Sequence, residues 1–425
     1  MKQYHLPLKR NHFCLIFAFA ILLAFGIFLS PTKAEAVEFD EREGGTYYVK
    51  NIEELNEVFG GNHVIDGQTL ILQSDVTVEY NIWIEKFAGN SCIIDLNGKT
   101  IRISARYFLM LGNALDPELD YVQMIGEGEI VPISERTYSL FYDVTQEYRL
   151  ILSGNITYKT SQEFFEEIDF LTIENGNFEK IIREESVHKY ITIGDFDGDA
   201  MWGHVTITGG RFHSGIVFMT IRCTISGGIF DEDIFITRGR TVISGGVIKG
   251  HVGFRGRLTV KENAYIRDGI VLKDGTGTCI IKGGYIGGKK YAIYILSCSE
   301  DPDQDYVTLN ITGGTIESRS KNGYGIYCEG TPPCRVTIKN CTIRSKNGNG
   351  KSAIYLKDAQ NVKLKADAGK KTLIKGFKYG LVDKNGGSVR IDKKAVVKAS
   401  LTKKMYTSKD KLDKTIKGNL TIYSE

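Results

Sequence analysis

One short phrase is written three times at a constant interval and a fourth time in degraded form. It reads Ile207-Thr208-Gly209-Gly210-Arg211-Phe212, Ile225-Ser226-Gly227-Gly228-Ile229-Phe230 and Ile243-Ser244-Gly245-Gly246-Val247-Ile248. The degraded copy is Glu262-Asn263-Ala264-Tyr265-Ile266. Glycine pairs begin at 209, 227 and 245, with Asn263 at the next step, so the period is 18 residues. Apolar columns keep the same step: Phe212, Phe230, Ile248, Ile266; Ile216, Ile234, Val252, Ile270; Phe218, Ile236, Phe254, Leu272. A fixed period with vertical apolar columns specifies a solenoid, whose coils bury their faces only against their neighbours.

Val, Ile, Thr, Tyr and Phe dominate these segments and heptads are absent, so the coils are built of strands. A left-handed hexapeptide helix has coils of the same length but places an aliphatic residue at every sixth position. Here the apolar positions fall unevenly within a coil, at 207, 212, 216 and 218. The pattern therefore predicts an all-β chain folded as a right-handed parallel β-helix. The Gly-Gly pairs are then turn glycines where strands bend between sheets, not a nucleotide fingerprint.

The 425-residue chain has a net charge of only +3. Lys2, Lys9 and Arg10 precede an apolar run over residues 13–29, followed by Ala34-Glu35-Ala36. This is the layout of a signal peptide cleaved after Ala36, with a membrane anchor as the rival reading. Cys14 lies inside the apolar run, so no lipoprotein is expected. The expected product is secreted, with no membrane span after cleavage, no cell-wall sorting signal at its C-terminus and a possible association with the cell surface. Nucleic acid is an unsuitable partner for an exported chain. Seven cysteines remain after residue 36, and export permits pairing. Cys328 and Cys334 flank Glu-Gly-Thr-Pro-Pro and are spaced to close a small loop, whereas Cys223, Cys279 and Cys341 suit buried single thiols.

After the leader, residues 37–61 form an acidic stretch with an amphipathic helix over residues 50–59. Its apolar positions are 52, 55, 58 and 59, with Asn51 as N-cap, and it would cover the open end of the first coil. Residues 62–400 are assigned to the β-helix. They comprise an opening period-2 stretch from Thr69, looser coils with a charged insertion over residues 160–169, the four 18-residue coils, and longer coils of about 26–33 residues. Residues 401–425 are Lys-rich and end in Leu420-Thr421-Ile422-Tyr423, a candidate last strand. Asn97-Gly98 reads as a tight turn.

The helix, the strand Gln68-Thr69-Leu70-Ile71-Leu72-Gln73-Ser74-Asp75-Val76 and the phrase Ile94-Asp95-Leu96-Asn97-Gly98-Lys99-Thr100-Ile101 resemble the opening of bacterial pectate-lyase-like β-helix proteins. The resemblance implies three short parallel sheets per coil around a cylinder of stacked side chains. It extends as a pattern over most of the chain after residue 36 and specifies a fold, not an activity.

Charge is segregated along the chain: net −19 over residues 37–200, +7 over 201–350 and +12 over 351–425. A basic end on an exported solenoid suits an anionic polymer, although lysines also keep strand edges soluble. Strand parity turns Thr308, Thr337, Lys363 and Arg390 outward in one expected column, with Asn310, Lys339, Lys365 and Asp392 in the next. Tyr294, Tyr327 and Tyr355 share another outward column, which suits sugar rings if the aromatic faces are free and strand stabilisation if they are not. The candidate ligand-binding residues are therefore Tyr294, Tyr327, Tyr355, Lys339, Lys363, Lys365 and Arg390.

Asp195-Phe196-Asp197-Gly198-Asp199 alternates carboxylates as calcium loops do. Its glycine sits one place early and no Glu follows at the twelfth position, so a polar turn is the simpler reading. No cofactor or metal is assigned. Catalysis on this fold needs acidic calcium ligands beside a base, or paired carboxylates. The nearest approach is His213, Asp231, Lys249 and Arg267 with Arg222, Arg240 and Arg257, which salt-bridged ladders explain. No catalytic residue is assigned. The expected function is non-catalytic binding of anionic or neutral polysaccharide. A diverged polysaccharide lyase or glycoside hydrolase is one alternative, and a structural or adhesive spacer is the other.

Overall fold

A computed structural model of the chain describes residues 45–55, 68–85, 91–112, 121–143, 149–166, 168, 170–180, 190–193, 203–219, 222–273, 277–298, 307–331, 334–357, 361–365, 367, 370, 372–383, 388–391, 397–401, 406–407 and 420–423. The strands form long, all-parallel ladders, and the chain is a parallel β-solenoid. Each strict coil contributes one strand to each of three sheets. Arg240–Ile243 lies in sheet 1, Val247–Ile248 in sheet 2 and Val252–Phe254 in sheet 3. The next coil returns to sheet 1 at Arg257–Val260. Sheet 1 runs through fifteen strands, from Thr46–Val49 to Ser388–Ile391.

The interior is filled by columns one residue wide. On sheet 1, Ile173, Ile207, Ile225, Ile243 and Val260 are mutual neighbours in register, and none is exposed. On sheet 2 the inward column is aromatic at first. Tyr158, Phe178, Phe212 and Phe230 stack at 4.9, 4.8 and 4.8 Å, with interplanar angles of 10° or less. From Ile248 onward the same column is aliphatic. Parallel, in-register strands force identical side chains one above another about 4.8 Å apart, close to the stacking distance of aromatic rings.

The two glycines of each pair have different tasks. The first permits close approach: a Cβ on Gly209, Gly227 or Gly245 would lie 1.8, 1.9 or 2.1 Å from a carbonyl oxygen of the coil below. The second adopts a left-handed backbone, with φ of 81° at Gly210, 89° at Gly228 and 84° at Gly246. The fourth coil departs from the 18-residue step on sheet 1, where Arg240 pairs with Arg257, 17 residues on. The corner before that strand is one residue shorter and the corner after it one residue longer, so Val247 still pairs with Tyr265. Asn263 therefore does not replace a pair glycine; it belongs to a longer turn that needs no left-handed residue.

Asn51 caps the short helix over residues 52–55: its Oδ1 accepts the Glu54 amide at 2.8 Å, and Glu54 Oε2 accepts the Lys50 amide at 2.6 Å. Residues 56–59 of the expected helix lie outside the described residues. The ladder begins before this helix, at Thr46–Val49. Asn97 and Gly98 both have positive φ, as a tight turn requires. The charged segment over residues 160–169 is not a bare insertion: it contains the strand Glu163–Glu166, paired with Ser139–Asp143, because Phe164 and Phe165 are buried. Leu420–Tyr423 is a strand, paired with Val397–Leu401. Cys328 and Cys334 are buried thiols in hydrogen-bond contact and form no disulfide, and Cys223, Cys279 and Cys341 are buried and unbridged.

Candidate functional site

The outward face of sheet 3 carries an unbroken series of apolar and aromatic positions. Register places Val217, Phe235, Gly253, Val271, Tyr294, Tyr327, Tyr355 and Val382 in one column. Inward neighbours such as Ile236 and Phe254 fill the core, so strand alternation turns this second set to the surface.

The tyrosine half of the column is packed against its own kind. Tyr327 and Tyr355 stack at 4.9 Å and 8°, and Tyr294 lies 5.8 Å from Tyr327. A second column, Tyr291, Tyr324, Ser352 and Tyr379, closes against it, with Tyr291 and Tyr294 stacked at 5.0 Å. Tyr355 is only 8% exposed. The faces of these rings are thus occupied by one another, which favours strand stabilisation, the second of the two readings of this column, over a row of open aromatic faces. Glu329 ties their hydroxyls: Tyr294 donates to it at 2.5 Å, Tyr327 at 3.4 Å and Lys357 at 2.7 Å. Burial pushes the Glu329 carboxyl up, but the bonds from Lys357 and Tyr294 outweigh it and hold the group below its ordinary value.

At the other half of the column the surface opens into a groove of about 850 Å³. Its floor is Phe235, Gly253 and Val271, and it ends against Tyr190 on one side and Tyr291 and Tyr294 on the other. Gly253 creates it. A Cβ there would sit 2.8 and 3.1 Å from two ring carbons of Phe235, so the ring lies down across the bare backbone of the next coil. Tyr190 meets Phe235 edge-on at 5.3 Å. The rim is polar. Asp233 Oδ1 accepts the His251 amide at 2.6 Å and lies 3.2 Å from His251 Nδ1. Those bonds hold the Asp233 carboxyl below its ordinary value against the effect of burial. Asp268 pairs with Arg319, and Arg255, Lys289 and Lys290 complete the edge.

The expected lysine patch lies on a different face. Lys363 and Lys365 are exposed on sheet 1, and Lys339 pairs with Lys365 across the ladder. Repulsion there is relieved in part by Asp367, which lies 3.1 Å from Lys339 Nζ. Lys363 pairs with Arg390, of which only the backbone is described. Thr308 pairs with Arg335 and Asn310 with Thr337, so both expected columns slip by two residues at that step; parity is kept because Leu309 meets Val336. Tyr294, Tyr327 and Tyr355 are therefore brought together, Lys339, Lys363 and Lys365 are brought together, and the two groups are not joined.

Asp231 accepts from Arg211 at 2.9 Å and Lys249 at 2.6 Å and lies 2.9 Å from His213 Nδ1, a salt-bridged ladder as expected. Arg222, Arg240 and Arg257 are in register on sheet 1. Among the described residues no group of three or more His, Cys, Asp or Glu side chains is placed to hold a metal, and residues 195–199 lie outside them. The groove was not foreseen, although its signal was in the sequence: Val217, Phe235, Gly253 and Val271 keep the 18-residue step one residue before the inward column. No family model, no curated protein and no solved structure matches the chain.

Proposed function

We propose that this chain is an exported, non-catalytic member of the pectate-lyase-like β-helix superfamily that binds polysaccharide in the sheet-3 groove. The observation that carries the reading is the ring of Phe235, laid over Gly253 and bracketed by Tyr190 and Tyr294. A sugar offers an apolar face of C–H groups and a rim of hydroxyls. A flat aromatic floor takes the first, and Asp233, His251, Arg255 and Asp268 take the second. The basic start, apolar run and Ala34-Glu35-Ala36 of the leader support export, and with it a location outside the cell or at its surface.

The carboxylates of the groove favour binding over hydrolysis. A general acid needs a carboxyl raised toward neutrality. Asp233 is held down by His251, and Asp268 is paired with Arg319. The test is a glycan array probed with the intact protein and with Phe235→Ala, followed by a lyase and hydrolase assay on every glycan that binds. Retention of a defined glycan set by the parent and its loss in Phe235→Ala is the expected result. Release of unsaturated or reducing-end products would overturn the non-catalytic reading, and binding unaffected by Phe235→Ala would overturn the site.

A further inference from the structure

Beyond Tyr291 the surface continues into a second groove of about 900 Å³, at the corner where the longer coils pass from sheet 2 to sheet 3. Four successive coils each place an exposed lysine in it: Lys290, Lys321, Lys351 and Lys378. Lys290 Nζ lies 5.0 Å from the Tyr291 ring centre, Lys351 Nζ 5.4 Å from that of Tyr324, and Lys378 Nζ 5.3 Å from that of Tyr379. A ring face seats an ammonium group without neutralising it, because the quadrupole carries no net charge. No carboxylate lines this groove among the described residues, whereas Lys249, Lys339 and Lys357 elsewhere on the solenoid each meet an Asp or Glu. Coils stack about 4.8 Å apart, so these like charges stand within one screening length of each other. The file calls for carboxylates, and this chain carries them at its other end.

The stretch before the first coil holds Glu38, Asp40, Glu41 and Glu43 against a single base, Arg42. It lies outside the described residues, but its reach is fixed by where the solenoid begins, at Thr46. Glu38 stands eight residues before Thr46, so an extended chain carries it about 29 Å from that strand at most. Sheet 1 takes ten steps from Thr46–Val49 to Thr278–Ile281, the strand of the coil that carries Lys290. At about 4.8 Å a step the groove begins about 48 Å away. The acidic segment therefore cannot enter the groove of its own chain, whereas that of a second copy can. Charge along the whole chain points the same way. A balance of −19 over residues 37–200 against +12 over 351–425, with a net charge of only +3, makes unlike ends of two copies attract. We infer that this chain associates with a second copy of itself, the segment over residues 37–44 of one copy lying along Lys290, Lys321, Lys351 and Lys378 of the other. The contact is heterologous, one end of a copy on a different surface of its neighbour. It does not depend on the glycan reading, whose Phe235 floor lies in the other groove.

The experiment is sedimentation velocity of the exported chain, beginning at Val37, at rising protein concentration and at low and high salt. The parent should associate, and the association should weaken as salt rises. A segment variant, Glu38→Gln/Asp40→Asn/Glu41→Gln/Glu43→Gln, and a groove variant, Lys321→Ala/Lys378→Ala, should each associate about tenfold more weakly. Mixed together they should recover a heterodimer, because each keeps the half that the other lacks; recovery also shows that both are folded. A labelled peptide of residues 37–44 should bind the segment variant, whose groove is intact, and bind the groove variant about tenfold more weakly. A closed pair and a longer head-to-tail series both support the inference. A parent that stays monomeric up to about 0.5 mM overturns it, and so does association that neither variant weakens. Binding of poly(glycerol phosphate) by the groove without binding of the peptide also overturns it, in favour of a polymer ligand.

Discussion

Phe235 lies across Gly253: a Cβ built on that glycine would stand 2.8 Å from the Phe235 Cδ1 atom. The ring thus owes its orientation to a missing side chain on the neighbouring coil. Gly253→Ala should tilt the ring off the backbone. The cost in stability should be about 1–3 kcal/mol, as for one added methyl group, because the ring must move while the backbone stays. Affinity for the bound glycan should fall about tenfold, as for the loss of one aromatic contact. Titration of Gly253→Ala beside the parent checks this, with the denaturation midpoint as the control.

The interior stack Tyr158, Phe178, Phe212 and Phe230 predicts a local response to truncation. Phe212→Ala should cost about 3–5 kcal/mol, and Phe212→Leu distinctly less. Because coils contact only their neighbours, hydrogen exchange should speed up in the coils around Phe212 and stay unchanged near Ile354. Uniform loss of protection along the chain would contradict the solenoid account.

Gly227 and Gly228 should respond differently to replacement. At Gly227 any side chain meets the carbonyl oxygen of Thr208, which would stand 1.9 Å from its Cβ, so Ala and Asn should both be severely destabilising. At Gly228 a Cβ would stand 2.8 Å from the Gly209 carbonyl oxygen, a cost shared by every side chain, and the backbone adds a φ of 89°; Asn340 shows that this chain accepts asparagine at a φ of 55°. Gly228→Asn should therefore cost about 1 kcal/mol less than Gly228→Val. Urea denaturation of the four variants decides it.

The held-down carboxyls give a sign for pH. At Asp231 burial pushes the pKa up, but the bonds from Lys249 and Arg211 prevail and lower it. Its stabilising contribution is complete above the unfolded value of about 3.9 and is lost as pH falls through the lower folded value. Glu329, lowered chiefly by Lys357 and Tyr294 against burial, behaves alike from about 4.3 downward. The gap in urea midpoint between the parent and Asp231→Asn or Glu329→Gln should be widest at neutral pH and close below about pH 4. A gap that does not change with pH would exclude the ion pairs as its cause.

Much of this architecture is legible in the sequence because in-register parallel coils write their contacts as constant sequence steps. The column Phe212, Phe230, Ile248, Ile266 stands in the chain as such a step, whereas Tyr294, Tyr327 and Tyr355, at unequal steps, are marked by the recurring Ile-Tyr pair, and the register reproduces both columns. Two things are not legible there. Parity tells that Tyr355 points outward, but not that Tyr324 and Tyr327 pack against it. A step of two residues preserves parity, so Thr308 can be misaligned with Thr337 without disturbing a single inward residue. The groove is hidden because a glycine marks it, and in a strand a glycine reads as weakness before it reads as space.

The most direct test is the crystal structure of the protein with a bound oligosaccharide selected from the array. Sugar density lying over Phe235 and Gly253, within hydrogen-bond reach of Asp233 and His251, is the predicted result. Sugar seated on sheet 1 against Lys363 and Lys365, with the sheet-3 groove empty, would contradict it.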